Sequence, residues 1–259
     1  MTYEGILYDI RDNIAKITLN MPEKRNRLTS KIVGEIIDAL EKAKEDEEVR
    51  VVIITGAGDK AFCVGGEIAE FRGHAAPENR QSFNAYSEMW ETFATLGKPS
   101  IAAVNGVALA GGCGLAICPD VTIASDRARF GCPEINVGVW SMTASGIIIR
   151  TVTWKKALEL LFTGDIIDAY EAEKIGLVNK VVPAEKLEET VMELANKLKS
   201  KSPVIMKVGR DSFYAIRDME FSKAEGYLLD MLALLLTTED SQEGTLAFLE
   251  KREPVWKGR

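Results

Sequence analysis

The sequence predicts an α/β fold, with a core of alternating strands and helices followed by a helical C-terminal region. Short apolar runs that stop at glycine or proline turns alternate with amphipathic stretches through the N-terminal part. From about residue 155 onward, helical periodicity dominates. The composition is that of an ordinary globular chain, 259 residues with 46% apolar and 27% charged, which excludes a disordered, collagenous or disulfide-scaffold protein.

The elements follow in order. Ile14, Ile17 and Leu19 mark a strand closed by the turn Asn20-Met21-Pro22. Ile32, Val33, Ile36, Ile37 and Leu40 recur at helical spacing, with Thr29 or Ser30 placed to cap the start. Arg50 to Thr55 is a short apolar run ending at Gly56-Ala57-Gly58, as a buried strand does. The loop Ala61 to Gly66 precedes a helical stretch near residues 77–96, and a further strand, Ser100 to Val104, leads into Asn105-Gly106. Segments 155–161, 168–174, 184–199, 203–214, 219–237 and 239–251 carry helical periodicity. No flexible linker and no fixed-period repeat interrupts the chain. The expected organisation is a core over residues 1–200 and a helical region over 201–259, packed on that core or on a neighbouring subunit.

Lys plus Arg number 32 against 39 for Asp plus Glu, a net charge of −7. An acidic chain argues against nucleic-acid binding as the main function, because phosphate recognition needs a basic face. Cys63, Cys113, Cys118 and Cys132 lie in apolar or glycine-rich runs without Cys-x-x-Cys spacing. With a single histidine, His74, they make no zinc site of the usual type, so no metal is expected and the thiols read as buried in a reduced cytoplasm. The N-terminus lacks the pattern of a signal peptide. Ile101 to Pro119 carries no charge and has about the length of a membrane span, but Asn105, Gly106, Gly111, Gly112, Gly114 and Pro119 break it. A buried strand, a glycine loop and a buried helix fit it better, so a cytoplasmic protein with no membrane partner is expected.

Several familiar chemistries are absent from the pattern. There is no Gly-x-Ser-x-Gly, and His74 lies in a polar loop, so a Ser-His-Asp triad is not expected. Gly56-Ala57-Gly58 does not continue as a dinucleotide fingerprint, and no Gly-Lys-Ser/Thr follows a glycine loop. What the sequence offers is two glycine-dense loops, Val64-Gly65-Gly66 and Ala110-Gly111-Gly112-Cys113-Gly114, each after a β-type segment. One free N–H from each loop could together hold a single developing oxyanion. Taken singly, each glycine pair reads first as a tight turn where only glycine fits.

Four segments follow in order: Ala61-Phe62-Cys63-Val64-Gly65-Gly66-Glu67-Ile68, Lys98 to Gly106, Ala110-Gly111-Gly112-Cys113, and Phe130-Gly131-Cys132-Pro133-Glu134-Ile135. Together they resemble the crotonase superfamily, the enoyl-CoA hydratase/isomerase family. Leu161-Phe162-Thr163-Gly164-Asp165, Gly176-Leu177-Val178 and the early turn Pro22-Glu23-Lys24-Arg25-Asn26 extend the resemblance over essentially the whole chain. It implies a spiral of ββα turns with C-terminal helices used for trimerisation, in a homotrimer or a hexamer built from trimers. It also implies an acyl-CoA thioester substrate whose carbonyl oxygen is held by the N–H groups of Gly66 and Gly111. CoA enters as part of the substrate, so no resident cofactor is implied. Lys24 and Arg25 are expected near the CoA phosphates, the backbone of Val64 and Gly65 near the adenine. The basic tail Lys251, Arg252, Lys257 and Arg259 is expected to contribute from a neighbouring subunit.

Hydratases of this family carry two glutamates. The second maps onto Glu134, whose apolar frame of Phe130, Cys132 and Ile135 suits proton transfer. The first maps onto Gly114, and the family's glycine-rich turn is replaced by Trp140-Ser141-Met142-Thr143-Ala144-Ser145. Gly114 therefore lines the substrate where a carboxylate is expected, and Trp140 and Met142 suggest an apolar acyl pocket or plain core. The resemblance implies an enzyme that hydrates an enoyl-CoA or shifts its double bond, with one glutamate moving the proton. Ser141, Thr143 or a backbone group would position the water. The alternatives are a catalytically weak acyl-CoA-binding member, or a decarboxylase or thioester hydrolase of the same fold.

Overall fold

The computed structural model describes residues 3–66, 73 and 75–259. Glu67, Ile68 and His74, named above, lie outside the described residues. Ten α-helices and ten strands are present among the described residues.

The chain opens with a hairpin, β1 (Ile6–Arg11) antiparallel to β2 (Ile14–Leu19). Asp12 and Asn13 form its two-residue turn with φ of 55° and 64°, the left-handed pair that matches the twist of flanking strands. β1 escapes sequence reading because it is an edge strand with mostly exposed side chains. Helix α1 (Ser30–Glu45) starts where expected, Thr29 Oγ1 accepting the Ile32 N–H at 3.3 Å.

Three turns of the same kind follow: β3 (Val51–Gly56), β4 (Ala61–Cys63) and α2 (Ala76–Ala94); then β5 (Ser100–Val104), β6 (Val107–Leu109) and α3 (Gly111–Ile117); then β7 (Val121–Ser125), β8 (Arg129–Gly131) and α4 (Met142–Thr151). In each turn the first strand joins one sheet and the second strand another. With β9 (Ile166–Asp168) and β10 (Lys180–Val182), the first sheet has the order β1-β2-β3-β5-β7-β10 and the second β4-β6-β8-β9. β3, β5 and β7 are parallel neighbours, and so are β4, β6 and β8. The chain is thus a spiral that advances one strand per turn in both sheets. The chain continues with α5 (Trp154–Thr163), β9 (Ile166–Asp168) antiparallel to β8, α6 (Ala169–Lys174), β10 (Lys180–Val182) parallel to β7, and α7 (Leu187–Lys199).

Side-chain alternation divides the core in two. Val52, Ile54, Ala102, Val104 and Ala124 face the main cluster with α1, α2 and α3. Val51, Ile53, Ile101, Ala103 and Ile123 face the opposite side, covered by Leu187, Val191 and Ala195 of α7. The uncharged run Ile101–Pro119 is β5, β6 and α3, and among the described residues no helix is long and apolar enough to cross a membrane.

The C-terminal part is α8 (Pro203–Ile216), α9 (Phe221–Leu235) and α10 (Glu239–Glu250). One polar cluster docks α8 on the spiral. Asp120 accepts from the Ser100 N–H and hydroxyl, the Arg210 Nε and the Tyr214 hydroxyl, all within 2.9 Å. Arg210 is buried and also donates from Nη1 and Nη2 to the carbonyls of Ala94 and Phe93. A buried charge so fully paired locks one packing geometry. By contrast, Phe221, Leu229, Leu232, Leu234, Leu236, Phe248 and Leu249 stand exposed on α9, α10 and the turn between them.

Candidate active site

The second sheet assembles the candidate site. Because β4, β6 and β8 are parallel neighbours, their C-terminal ends open at one edge, with Cys63 beside Ala108 and Leu109 beside Gly131. Adjacent strands lie about 4.8 Å apart. The three segments that leave this edge, 64–66, 110–111 and 132–134, are therefore side by side although they are far apart in the chain.

The first two touch. Gly65 has φ +83°, and a Cβ there would stand 2.7 Å from Ala110 Cβ and 3.0 Å from Gly111 N. A side chain fits neither the backbone conformation nor the space. At Gly112 a Cβ would lie 2.2 Å from Cys63 O, so α3 begins directly against the end of β4. Ala110 holds φ 56° and ψ −130°, outside the regions that alanine prefers. Its N–H donates to Gly131 O at 2.9 Å, and its carbonyl accepts from Cys113 and Gly114. That arrangement leaves the Gly111 N–H in the first turn of α3 with no acceptor among the described residues. The Gly66 N–H is in the same position, since the bridge to Leu28 uses the Gly65 carbonyl, which accepts the Leu28 N–H at 2.8 Å.

Glu134 lies on the 3-10 turn Pro133–Val137, which Gly138 closes at φ +78°. Gly164, the C-cap of α5, supports that turn from behind; a Cβ on it would meet Ile135 at 2.7 Å and Asn136 at 2.9 Å. The Ser141 hydroxyl donates to Glu134 Oε1 at 2.6 Å. Glu134 Oε2 is buried and has no hydrogen-bond partner among the described residues. An unpartnered buried carboxylate oxygen is costly unless a ligand or reaction uses it.

Gly114 sits in α3 with its Cα toward α2 and α4. A Cβ at this position would approach Ala144 Cβ at 3.2 Å and the Trp90 ring at 3.3 and 3.4 Å. A side chain at this position would press on the indole of Trp90, whose Nε1 donates to Thr143 O at 3.1 Å. The Ser141 proton is given to Glu134, so toward a water Ser141 can act only as an acceptor. Trp140 is half-buried; its Nε1 donates to Ser145 Oγ, and its ring meets Phe162 edge-on at 5.5 Å. Met142 is 75% exposed on the first turn of α4. With Trp90, Ile147, Phe213 and Tyr214 it lines a cavity of about 740 Å³ between α4 and α8.

Lys24 and Arg25 are exposed on the 3-10 turn Pro22–Lys24 and its left-handed cap. Asn26 ties this turn to the first loop: its Oδ1 accepts the Met21 N–H, and its Nδ2 donates to Ala57 O and to Ala61 O, at the start of β4. Backbone Val64 is half-buried and Gly65 buried in the same loop. The basic tail residues Arg252, Lys257 and Arg259 pair with Glu243, Glu250 and Glu239 within the chain.

The thiols beneath the site are held neutral. Burial pushes the Cys63 thiol up to about 12, and a hydrogen bond with Cys132 together with burial holds Cys113 well above its ordinary value. All four cysteines are free.

Sequence reasoning did not single out Trp90, Tyr86 or Asn26. Tyr86 packs over Gly111, 3.3 Å from where its Cβ would be. The only signal for Tyr86 and Trp90 is a helical stripe with Met89 and Phe93, which any core helix shows.

Comparison with known proteins agrees with this geometry. The family model for enoyl-CoA hydratase/isomerase matches residues 9–259. A crotonyl-CoA hydratase of Syntrophomonas wolfei is 36% identical over 98% of this chain and 98% of its own length. A short-chain-enoyl-CoA hydratase of Clostridium acetobutylicum is 35% identical over 98% of this chain and 97% of its own. The crystal structure of an enoyl-CoA hydratase from Mycobacterium smegmatis superposes with a TM-score of 0.94 at 31% identity, covering 98% of this chain and 99% of that one.

Proposed function

From the premise that the chain belongs to the enoyl-CoA hydratase/isomerase family, we propose that it is an acyl-CoA-metabolising enzyme that hydrates an enoyl-CoA thioester with Glu134 as its single proton-transfer group. The observation that supports this reading is the pair of N–H groups, Gly66 and Gly111, with no acceptor among the described residues, on strand ends neighbouring the half-buried Glu134, whose Oε2 is buried and without a partner among the same residues. Aligned donors at a dry site stabilise negative charge on the thioester oxygen, each worth roughly 3–4 kcal/mol in catalysis. As water attacks Cβ, Glu134 Oε2 takes its proton and the electron pair of the double bond moves to the thioester oxygen as an enolate. The same proton then passes from Oε2 to Cα, so water is added across the double bond and the carboxylate is regenerated. Lys24 and Arg25 take CoA phosphates on the turn that Asn26 ties to the first loop, with the backbone of Val64 and Gly65 toward the adenine. Trp140 supports the turn that carries Glu134, whereas Met142 lines the cavity between α4 and α8, which neither Gly66, Gly111 nor Glu134 lines. No resident cofactor or metal enters these steps. The exposed apolar faces of α9 and α10 support a homo-oligomer, a trimer or a hexamer of trimers, acting in the cytoplasm.

A second reading, a double-bond shift, is favoured by one observation. Trp90 and Ala144 crowd position 114, where a second carboxylate is absent, and moving a double bond needs only one base that removes a proton from Cα and returns one to Cγ. Both readings pass through the same enolate. The experiment is Glu134→Gln with crotonyl-CoA and with a 3-enoyl-CoA. Turnover should fall by at least about a hundredfold while binding persists. A crystal of that variant with substrate should place the thioester oxygen roughly 2.7–3.1 Å from the Gly66 and Gly111 nitrogens. Unchanged turnover, or an oxygen bound elsewhere, refutes the assignment.

A further inference from the structure

We propose that Ser141, braced by Ser145 and Trp140, is a positioning residue that presents Glu134 Oε2, and only that oxygen, to the substrate. The inference rests on the reading of Glu134 as the proton-transfer group.

The bonds run as a chain. Ser141 Oγ donates to Glu134 Oε1 at 2.6 Å, and Ser141 itself is only 4% exposed. Its hydroxyl has one proton, so donation to Oε1 withdraws that oxygen's lone pair and leaves Oε2 as the free basic atom. The backbone of Ser141 is held in place, because it caps α4 and its carbonyl accepts from the Ser145 N–H at 2.9 Å and the Ser145 hydroxyl at 2.7 Å. Ser145 Oγ in turn accepts the Trp140 Nε1 at 3.0 Å. Trp140 leans edge-on against Phe162 of α5, and the end of α5, Gly164, packs against Ile135 and Asn136 beside Glu134. The brace therefore begins and ends on the turn that carries the glutamate.

Such a device suits a site with one carboxylate. With glycine at position 114, no second group shares the two proton movements, so one oxygen must stay aimed through both. A carboxylate free to rotate would present either oxygen and lose alignment between the steps. The hydrogen bond removes that freedom before substrate arrives. Trp140 is then a strut rather than a wall, which accounts for its committed indole nitrogen.

The test compares Ser141→Ala, Ser141→Thr and Trp140→Phe with the parent protein. Each is followed by steady-state kinetics on crotonyl-CoA, thermal melting, and infrared difference spectra against Glu134→Gln that isolate the Glu134 carboxylate band. Ser141→Ala should lower kcat about tenfold, a part of the roughly 10²–10⁴-fold that general acid–base catalysis contributes, with KM within about twofold, and should move the carboxylate band. Ser141→Thr keeps the donor and should restore both the band and most of kcat. Trp140→Phe keeps the ring against Phe162 but loses the Nε1 donor, and should fall between. The proposal is overturned if Ser141→Ala leaves kcat and the band unchanged. It is also overturned if Ser141→Thr falls as far as Ser141→Ala in step with a lowered melting midpoint, since that marks a purely structural role. A parent protein that moves its band on losing Ser141 but turns over no enoyl-CoA supports the brace and refutes the hydratase reading.

Discussion

Restoring a carboxylate at position 114 separates two explanations for its absence: a group simply missing from an open pocket, or a pocket closed to it. The distances favour closure. A Cβ on Gly114 would stand 3.2 Å from Ala144 Cβ and 3.3–3.4 Å from Trp90, inside the roughly 3.5–4.0 Å optimum for carbon contacts. Gly114→Ala gains about 1 kcal/mol of helix propensity and loses about 1–3 kcal/mol to overpacking, so it should be neutral to about 2 kcal/mol destabilising. Gly114→Glu adds a buried carboxylate with no partner, which costs about 1–3 kcal/mol more. Urea unfolding monitored by circular dichroism should therefore find Gly114→Glu roughly 1–5 kcal/mol less stable, with no gain in crotonyl-CoA hydration. Replacing the indole should relieve part of this. In a double-mutant cycle, Trp90→Leu and Gly114→Glu should couple favourably by about 1 kcal/mol or more. A Gly114→Glu protein as stable as the parent and faster in hydration refutes the packing argument.

Three further outcomes are expected. Asp120→Asn leaves buried Arg210 without its charge partner and weakens the bond to Tyr214, so the unfolding free energy should drop by about 3 kcal/mol; a change below about 1 kcal/mol would mean that α8 docks by other contacts. Hydrogen bonds from Arg252 and the Val255 N–H hold Glu243 at about 2 against an ordinary 4.5. A lowered carboxylate stabilises above its unfolded value and loses that contribution as pH falls from about 4.5 toward 2, so amide exchange should show residues 252–256 opening in that window, and Glu243→Gln should abolish the dependence. Light scattering should find a trimer or hexamer at micromolar concentration that Leu232→Asp with Leu236→Asp disrupts, because both leucines are exposed on one chain; a monomeric parent ends this expectation.

Much of this protein is legible in its sequence because local pattern reports which face of an element is buried. The patterns of β2, α1 and the helices after residue 155 and the continuous apolar runs of β3 and β5 are strong, and the chain falls in the expected α/β class with C-terminal helices. Both glycine loops and Glu134 could be named from their motifs alone. Other elements carry no such pattern. β4, β6, β8, β9 and β10 have three residues each, too few for a period, and exist because neighbouring strands pair with them. Helix α4 begins in Met-Thr-Ala-Ser-Gly, a weak helix former that packing against α3 secures.

The sequence by itself thus determined the fold class, the family signature and the residue types of the chemistry. Only the tertiary structure decided how they combine: that β4, β6 and β8 end at one edge and bring residues 66, 111 and 134 together, that Trp90 and Ala144 occupy the space beside Gly114, and that Ser141 gives its proton to Glu134. The physical reason is one of range. Propensity and periodicity act over a few neighbouring residues, whereas these contacts join segments tens of residues apart, and only strand pairing and core packing bring those segments within reach.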